Sequence, residues 1–189
     1  MRYPDLMIDI ETLGTAPGSV ITEVAVVGFD RASPAEPVTL FFLSPSIKQQ
    51  SRLDMTIDAD TVAWWTRQPA GAFVAQLSAP QTALTEFCDA FDAVFALDGG
   101  GPRVWAFSPN FDCVLIEDMY RRLDRRVPWG HRQPRDLRTL ADCARVEKLS
   151  EVLLPPANAH RADVDARYQA SCAQALWHRL HGLRSQVAA

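Results

Sequence analysis

The sequence predicts an α/β fold: a mixed five-stranded sheet, three antiparallel strands followed by parallel ones, flanked by helices. Two observations carry this. Three strand-like runs lie at 5–11, 20–29 and 37–43, joined by short connections rich in turn residues. After them, apolar residues at helical spacing alternate with short strand-like runs, giving the order βββ-αα-β-α-β-α-α. The size agrees: 189 residues, 48% hydrophobic and 22% charged, suit one domain with a full core.

The first three runs read Asp5–Glu11, Val20–Phe29 (VITEVAVVGF) and Pro37–Leu43 (PVTLFFL). The short links 14–18 and 30–36 make them an antiparallel meander. Asp58 or Asp60 then caps a helix containing Val62, Trp64 and Trp65, which ends before Pro69. Pro80 opens a longer helix with Leu84, Phe87, Cys88, Phe91, Val94 and Phe95 inward. Gly99, Gly100 and Gly101 end it; they lack the Lys-Ser/Thr ending of a phosphate loop and precede a strand, so they read as a turn. Residues 103–107 (RVWAF) form the fourth strand, followed by a helix from about Asn110 to Leu123. A short fifth strand falls within 127–135, where Pro134 confines it to an edge. Asp136 caps a helix over 137–145. A loop follows, and the last helix runs from about Arg161 to Leu183 with Ala166, Ala170, Ala173 and Leu176 along one stripe, the end at 184–189 fraying.

No apolar run approaches the roughly 20 residues of a membrane helix. The first residues, MRYPD, contain no apolar h-region. The expected location is the cytoplasm, by default, with no membrane partner. Cys88, Cys113, Cys143 and Cys172 lie 25 to 30 residues apart with no CxxC pair, which argues against a zinc cage or a disulfide framework and for small buried hydrophobes on helices. The net charge is −4, but residues 1–100 hold 5 basic and 13 acidic residues, and residues 101–189 hold 14 and 10. Much of the basic excess is Arg121, Arg122, Arg125, Arg126, Arg132, Arg135 and Arg138. These suit either phosphate recognition or a solvated helix face.

Asp9 and Glu11 pose the functional question. They are two apart on an apolar strand, so both point to one face, where burial and mutual repulsion are costly. A divalent cation between them removes that cost, because hard cations such as Mg²⁺ take oxygen ligands. Two further acids lie at suitable junctions: Asp112, just after the fourth strand, and Asp165, in the first turns of the last helix. His160 precedes Asp165 by five residues. Four acids can hold two metals for in-line phosphoryl chemistry, and a histidine near neutrality can take the proton of an attacking water. Each residue also has an ordinary reading as a cap or surface group, and spacing alone does not choose.

Asp9-Ile-Glu-Thr-Leu-Gly14, Phe111-Asp112 and His160-x₄-Asp165, in this order, resemble the three motifs of the DEDDh group of 3′–5′ exonucleases, the DnaQ-like branch of the ribonuclease H-like superfamily. Residues 56–65 (TIDADTVAWW), 135–140 (RDLRTL) and 165–167 (DAR) are similar to a subgroup of phage DexA-type exonucleases and the mycobacterial polyadenylate-preferring exoribonuclease. The resemblance covers roughly residues 5–180 and implies a single exonuclease domain over 1–189 with a ribonuclease H-like fold. It implies two divalent metal ions, Mg²⁺ or Mn²⁺, held by Asp9, Glu11, Asp112 and Asp165, with His160 as general base. It places Thr12, Leu13 and Gly14 against the terminal nucleotide, Leu13 wedging beside the base, with Phe111 and His160 in the same pocket. The implied substrate is the 3′ end of single-stranded RNA or DNA, RNA being slightly favoured, and a homodimer is implied because relatives pair up. A ribonuclease H-like endonuclease and a non-catalytic nucleic-acid binding module stay open as alternatives.

Two departures from the family pattern stand at Ala106–Asn110 and at Cys113, where base or sugar recognition is in question. Other residues receive ordinary expectations: Asp136 as a cap, Asp163 as exposed, one of Trp64 and Trp65 as core, and Glu23 as a solvent-facing or paired acid.

Overall fold

The computed structural model describes residues 3–69, 71–96 and 101–187. Among these residues six strands form one sheet in the order β4-β3-β2-β1-β5-β6. They are β1 (Asp5–Thr12), β2 (Ile21–Phe29), β3 (Val38–Pro45), β4 (Gln81–Thr82), β5 (Arg103–Ala106) and β6 (Pro134–Asp136). β1 pairs antiparallel with β2, and β2 with β3. β5 lies parallel to β1 and β6 parallel to β5. This is the expected mixed sheet, consistent with the ribonuclease H-like fold. β6 is the edge strand that Pro134 requires, since proline cannot donate to a further neighbour.

Among the described residues seven α-helices accompany the sheet: α1 (Ile47–Ser51), α2 (Ala59–Trp65), α3 (Ala72–Ser78), α4 (Leu84–Ala96), α5 (Asp112–Arg122), α6 (Leu137–Cys143) and α7 (Ala162–Val187). Asp58 caps α2 through the N–H of Asp60, and Asp136 caps α6 through the N–H groups of Arg138 and Thr139. Both match the caps read from sequence.

Several boundaries differ from expectation. β4 is a sixth strand: Gln81–Thr82 pairs in parallel with Ser44 and Pro45, and α4 begins at Leu84 instead of at Pro80. The reason is long-range. The Gln81 side chain accepts from Ile47 N–H, and Gln49 Oε1 accepts from Leu84 N–H, so α1 holds this entry in place. The short helices α1 and α3 were not expected, being too brief for a periodic signal. The last helix continues to Val187, past the expected end at Leu183, because no Gly or Pro interrupts 183–187. Gly101 is described at φ +68; the rest of the expected glycine turn, 99 and 100, lies outside the described residues. Cys88, Cys113 and Cys172 are buried thiols as expected, but Cys143 is exposed at the end of α6.

The sheet separates two apolar layers. Leu6, Ile8 and Ile10 point to one side, with Phe87 and Phe91 of α4 and Ile116 and Met119 of α5. Met7 points to the other, with Ala25 and Val27 of β2 and the alanines of α7. Asp9 and Glu11 follow the alternation onto the α7 side. Ala162, Ala166, Ala170 and Ala173 are all fully buried. Such small side chains let a helix backbone approach the strands closely, and this brings the polar residues of α7 to the acids of β1.

Candidate active site

The site is built where the C-terminal end of β1 meets the N-terminal half of α7. Two residues along a strand advance about 6.8 Å and one helical turn about 5.4 Å, so α7 offers two residues four apart to two strand residues two apart. Asp165 faces Glu11, and Gln169 reaches Asp9, donating from Nε2 to Oδ1 at 2.7 Å. Carboxylate oxygens of Glu11 and Asp165 and a ring nitrogen of His160 lie within 4.8 Å of one another. That spacing is compact enough for one cation.

Burial and repulsion dominate the electrostatics. Asp9 and Glu11 are 9% and 8% exposed. Burial first, then the charges of Asp112, Glu11 and Asp165, push the Asp9 carboxyl well above its usual range. Burial, then Asp165, Glu23 and Asp112, do the same to Glu11. Asp112, the first residue of α5, is raised to about 7 by burial, against backbone hydrogen bonds and the charge of Arg138. Asp165 is raised mainly by burial, against the hydrogen bond it accepts from His160 N–H at 2.8 Å. Four carboxyl groups sharing one field with no cation paired to any of them, among the described residues, is a set that a hard divalent ion fits. The buried Oε1 of Gln169 has no hydrogen-bond partner and is a further polar group in the same place. Glu11, Asp165 and His160 are thus brought together, and Asp9 and Asp112 share their electrostatic field.

His160 is held by more than its motif. Its φ is +66, a left-handed conformation that a non-glycine residue keeps only when its surroundings enforce it. Its N–H donates to Asp165, and its C=O accepts from Gln76 Nε2 at 3.2 Å. Gln76 in turn accepts from Thr22 Oγ1. The imidazole meets Trp64 and Trp65 edge-on at 5.0 and 6.1 Å. Trp65 is the core member of the pair, at 2% exposure, and Trp64 is 38% exposed.

The residues expected to face a nucleotide are placed less uniformly. A cleft of about 640 Å³ beside Glu11 is lined by Thr12, Thr15, Trp64, Trp65 and Phe111. Leu13 does not border it: its side chain is in the core at 3% exposure, its N–H donates to Val20 and its C=O accepts from Asp58 N–H. The Thr12 carbonyl likewise accepts from Trp65 Nε1 at 2.9 Å. The expected Leu13 wedge is therefore corrected: a register irregularity between Glu11 and Thr12 turns Leu13 inward and leaves Trp64 and Phe111 as the apolar walls. Gly14 is needed because a Cβ there would clash with Ser19 Oγ.

Two other expectations change. Asp163 is only 19% exposed and pairs with Arg161 at 2.7 Å. Glu23 is not solvent-facing: it is 5% exposed, stands opposite Glu11 in the β1/β2 register, and accepts from Ala162 N–H at the start of α7. It thereby fixes the end of the helix that carries Asp165. Gln169, Gln76 and Glu23 were missed as site residues. The first had a signal, since residues four apart share a helix face, and so did Glu23, through strand alternation. Gln76 had none, because a contact across 84 positions leaves no local trace.

Residues 4–177 match the family model described as the 3′–5′ exoribonuclease Rv2179c-like domain. No curated protein matches the chain.

Proposed function

Because the chain belongs to the 3′–5′ exoribonuclease Rv2179c-like family, we propose that it removes nucleoside 5′-monophosphates one at a time from the 3′ end of single-stranded RNA, by DEDDh-type chemistry of the DexA-like subgroup. The observation that carries this is the convergence of Glu11, Asp165 and His160 within 4.8 Å, in the same electrostatic field as Asp9 and Asp112. Asp9, Glu11, Asp112 and Asp165 would hold two divalent ions, Mg²⁺ or Mn²⁺, which supply charge neutralisation and Lewis acidity for an in-line displacement.

The chain's own residues do the rest. The imidazole of His160 takes a proton from the attacking water as its oxygen bonds to phosphorus and the P–O3′ bond breaks. Asp165 and Gln76 fix the backbone of His160 on both sides of its Cα, while Trp64 and Trp65 limit rotation of the ring. Thr12, Trp64 and Phe111 wall the cleft that receives the terminal nucleoside. The reading takes 1–189 as a single exonuclease domain acting in the cytoplasm and pairing as a homodimer, which the mass in light scattering checks.

The test is a time course with 5′-labelled oligo(A) and oligo(dA) in Mg²⁺ and in Mn²⁺, resolved on a sequencing gel. A ladder shortening from the 3′ end, faster for oligo(A), is expected. Full-length strands in every lane overturn the reading, and cleavage of a circular RNA replaces it with an endonuclease.

A further inference from the structure

Most of the arginine-rich segment is already engaged. Arg121 and Arg122 pair with Asp118, Arg125 with Asp89 and Asp92, and Arg135 donates to the carbonyls of residues 132–134. Arg138 is placed differently. It lies in the first turn of α6, two residues past the cap Asp136, where β6 ends beside the C-terminal end of β5. Its guanidinium carbon sits 4.3 Å from the centroid of the Phe107 ring, the residue that follows β5. Among the described residues no carboxylate comes within 4.0 Å of it. Among those residues no acceptor takes its donors either, and the ring beneath restricts its motion, which lowers the entropy lost on gripping an anion.

Arg138 and Phe107 open onto a groove of about 700 Å³ that also holds Arg145 and Leu149. Asp142 and Glu147 line it as well, so its attraction for an anion is local to the guanidinium groups. Phe111 borders the cleft beside Glu11 and Phe107 borders this groove, and the loop between them leads into Asp112. In the sheet order the cleft lies towards β1 and the groove towards β6. A strand with its last nucleoside in the cleft and its scissile phosphate at the acids meets this groove if it continues over the loop from Phe107 to Asp112 towards β6.

We propose that this groove is the subsite for the RNA strand on the 5′ side of the scissile bond, with the Arg138 guanidinium, held over Phe107, receiving the first upstream phosphodiester. The inference rests on the exoribonuclease reading of the neighbouring acids. It assigns Arg138 a role in binding rather than in proton transfer, and it predicts that the enzyme senses substrate length.

The experiment compares kcat/KM for ApA, ApApA and ApApApA without terminal phosphates, for the wild-type chain and Arg138→Gln. ApA contains only the scissile phosphate; ApApA adds one upstream. The wild-type chain should prefer the trimer, and Arg138→Gln should lower the trimer-to-dimer ratio about tenfold, the size of a lost charge-assisted phosphate contact. The slope of log(kcat/KM) against log salt for the trimer should become shallower by about 0.7. An unchanged ratio overturns the proposal. So does equal slowing at every length, which would mean that Arg138 acts through Asp112. If the wild-type chain cleaves no RNA of any length, the exoribonuclease reading itself falls, and the groove assignment with it.

Discussion

Strand β1 carries three buried acids, and its two ends treat them in opposite ways. At the start, Asp5 is fully buried but accepts from Arg31 at 2.7 Å, Arg103 at 2.6 Å and Trp105 Nε1 at 2.8 Å. Burial alone would raise its carboxyl; hydrogen bonds from Arg103 and Trp105 and the charges of Arg31 and Arg103 outweigh that and leave it lowered. Four residues later Asp9 shares the same face and has one neutral partner, Gln169, with three other acids around it. The fold supplies the cations for Asp5 and withholds them from Asp9 and Glu11. An acid that the protein neutralises is a structural tie. A cluster that it leaves uncompensated is chemically suited to cations from solution.

The largest test of this contrast is substitution at each end. Asp9→Asn should reduce RNA hydrolysis on the order of a thousand-fold or more, since it removes a proposed ligand whose effect is expressed in the transition state. The metal-free protein should keep or gain stability, because one repelling charge is gone. Asp5→Asn should do the reverse: it strands Arg31 and Arg103 and should cost about 3–5 kcal/mol in urea unfolding, with residual activity set by the folded fraction. If Asp9→Asn retains wild-type turnover, the contrast has no catalytic meaning.

Metal addition is the next in size. Mg²⁺ or Mn²⁺ at about 100 times its dissociation constant should stabilise the native state by about 2.7 kcal/mol, read as a rise in melting temperature that chelator reverses and Asp9→Asn weakens. No shift at millimolar metal would break the argument that the acids await cations.

A compensated and an uncompensated acid should also respond oppositely to pH in the metal-free protein, as Asp5 of β1 and Asp112 of α5 show. Asp112 has its carboxyl raised to about 7 from 3.8. Below about 3.8 it is protonated in both folded and unfolded states and costs nothing. As pH rises from there to about 7 the unfolded state ionises first, so stability falls and then levels off. Asp5, with its carboxyl lowered, contributes stability that is fully present above 3.8 and is lost as pH falls through its folded value. Thermal melts from pH 3 to 9 should therefore show a maximum on the acid side of neutrality, and Asp112→Asn should flatten the limb that descends towards pH 7.

The smallest effect concerns positioning. Gln76→Leu removes the donor to the His160 carbonyl and leaves the left-handed backbone supported only from Asp165. A fall in kcat of about tenfold with KM nearly unchanged is expected, the scale of one lost hydrogen bond at a positioned base. Parallel loss of melting temperature with unaltered kcat would assign Gln76 to stability alone.

The architecture was legible in the sequence because it rests on local patterns. The apolar, β-branched run in 21–29, helical spacing in 84–96 and the caps Asp58 and Asp136 each express physics that acts within a few residues. The acids were legible for the same reason: Asp9 and Glu11 interrupt an apolar strand, and an unfavourable residue in a favourable pattern calls for an explanation. What the sequence could not show was compensation across distance. Nothing near Asp5 announces that Arg103, 98 positions away, neutralises it, or that Asp9 receives only Gln169. Nor does anything near Leu13 reveal the irregularity that turns it into the core. Local chemistry set which residues stand on which strand or helix face. Only the packing of α7 and β5 against β1, and of α3 against β2, decided which charges and donors meet, because Coulomb and hydrogen-bond energies depend on separation in space and not along the chain.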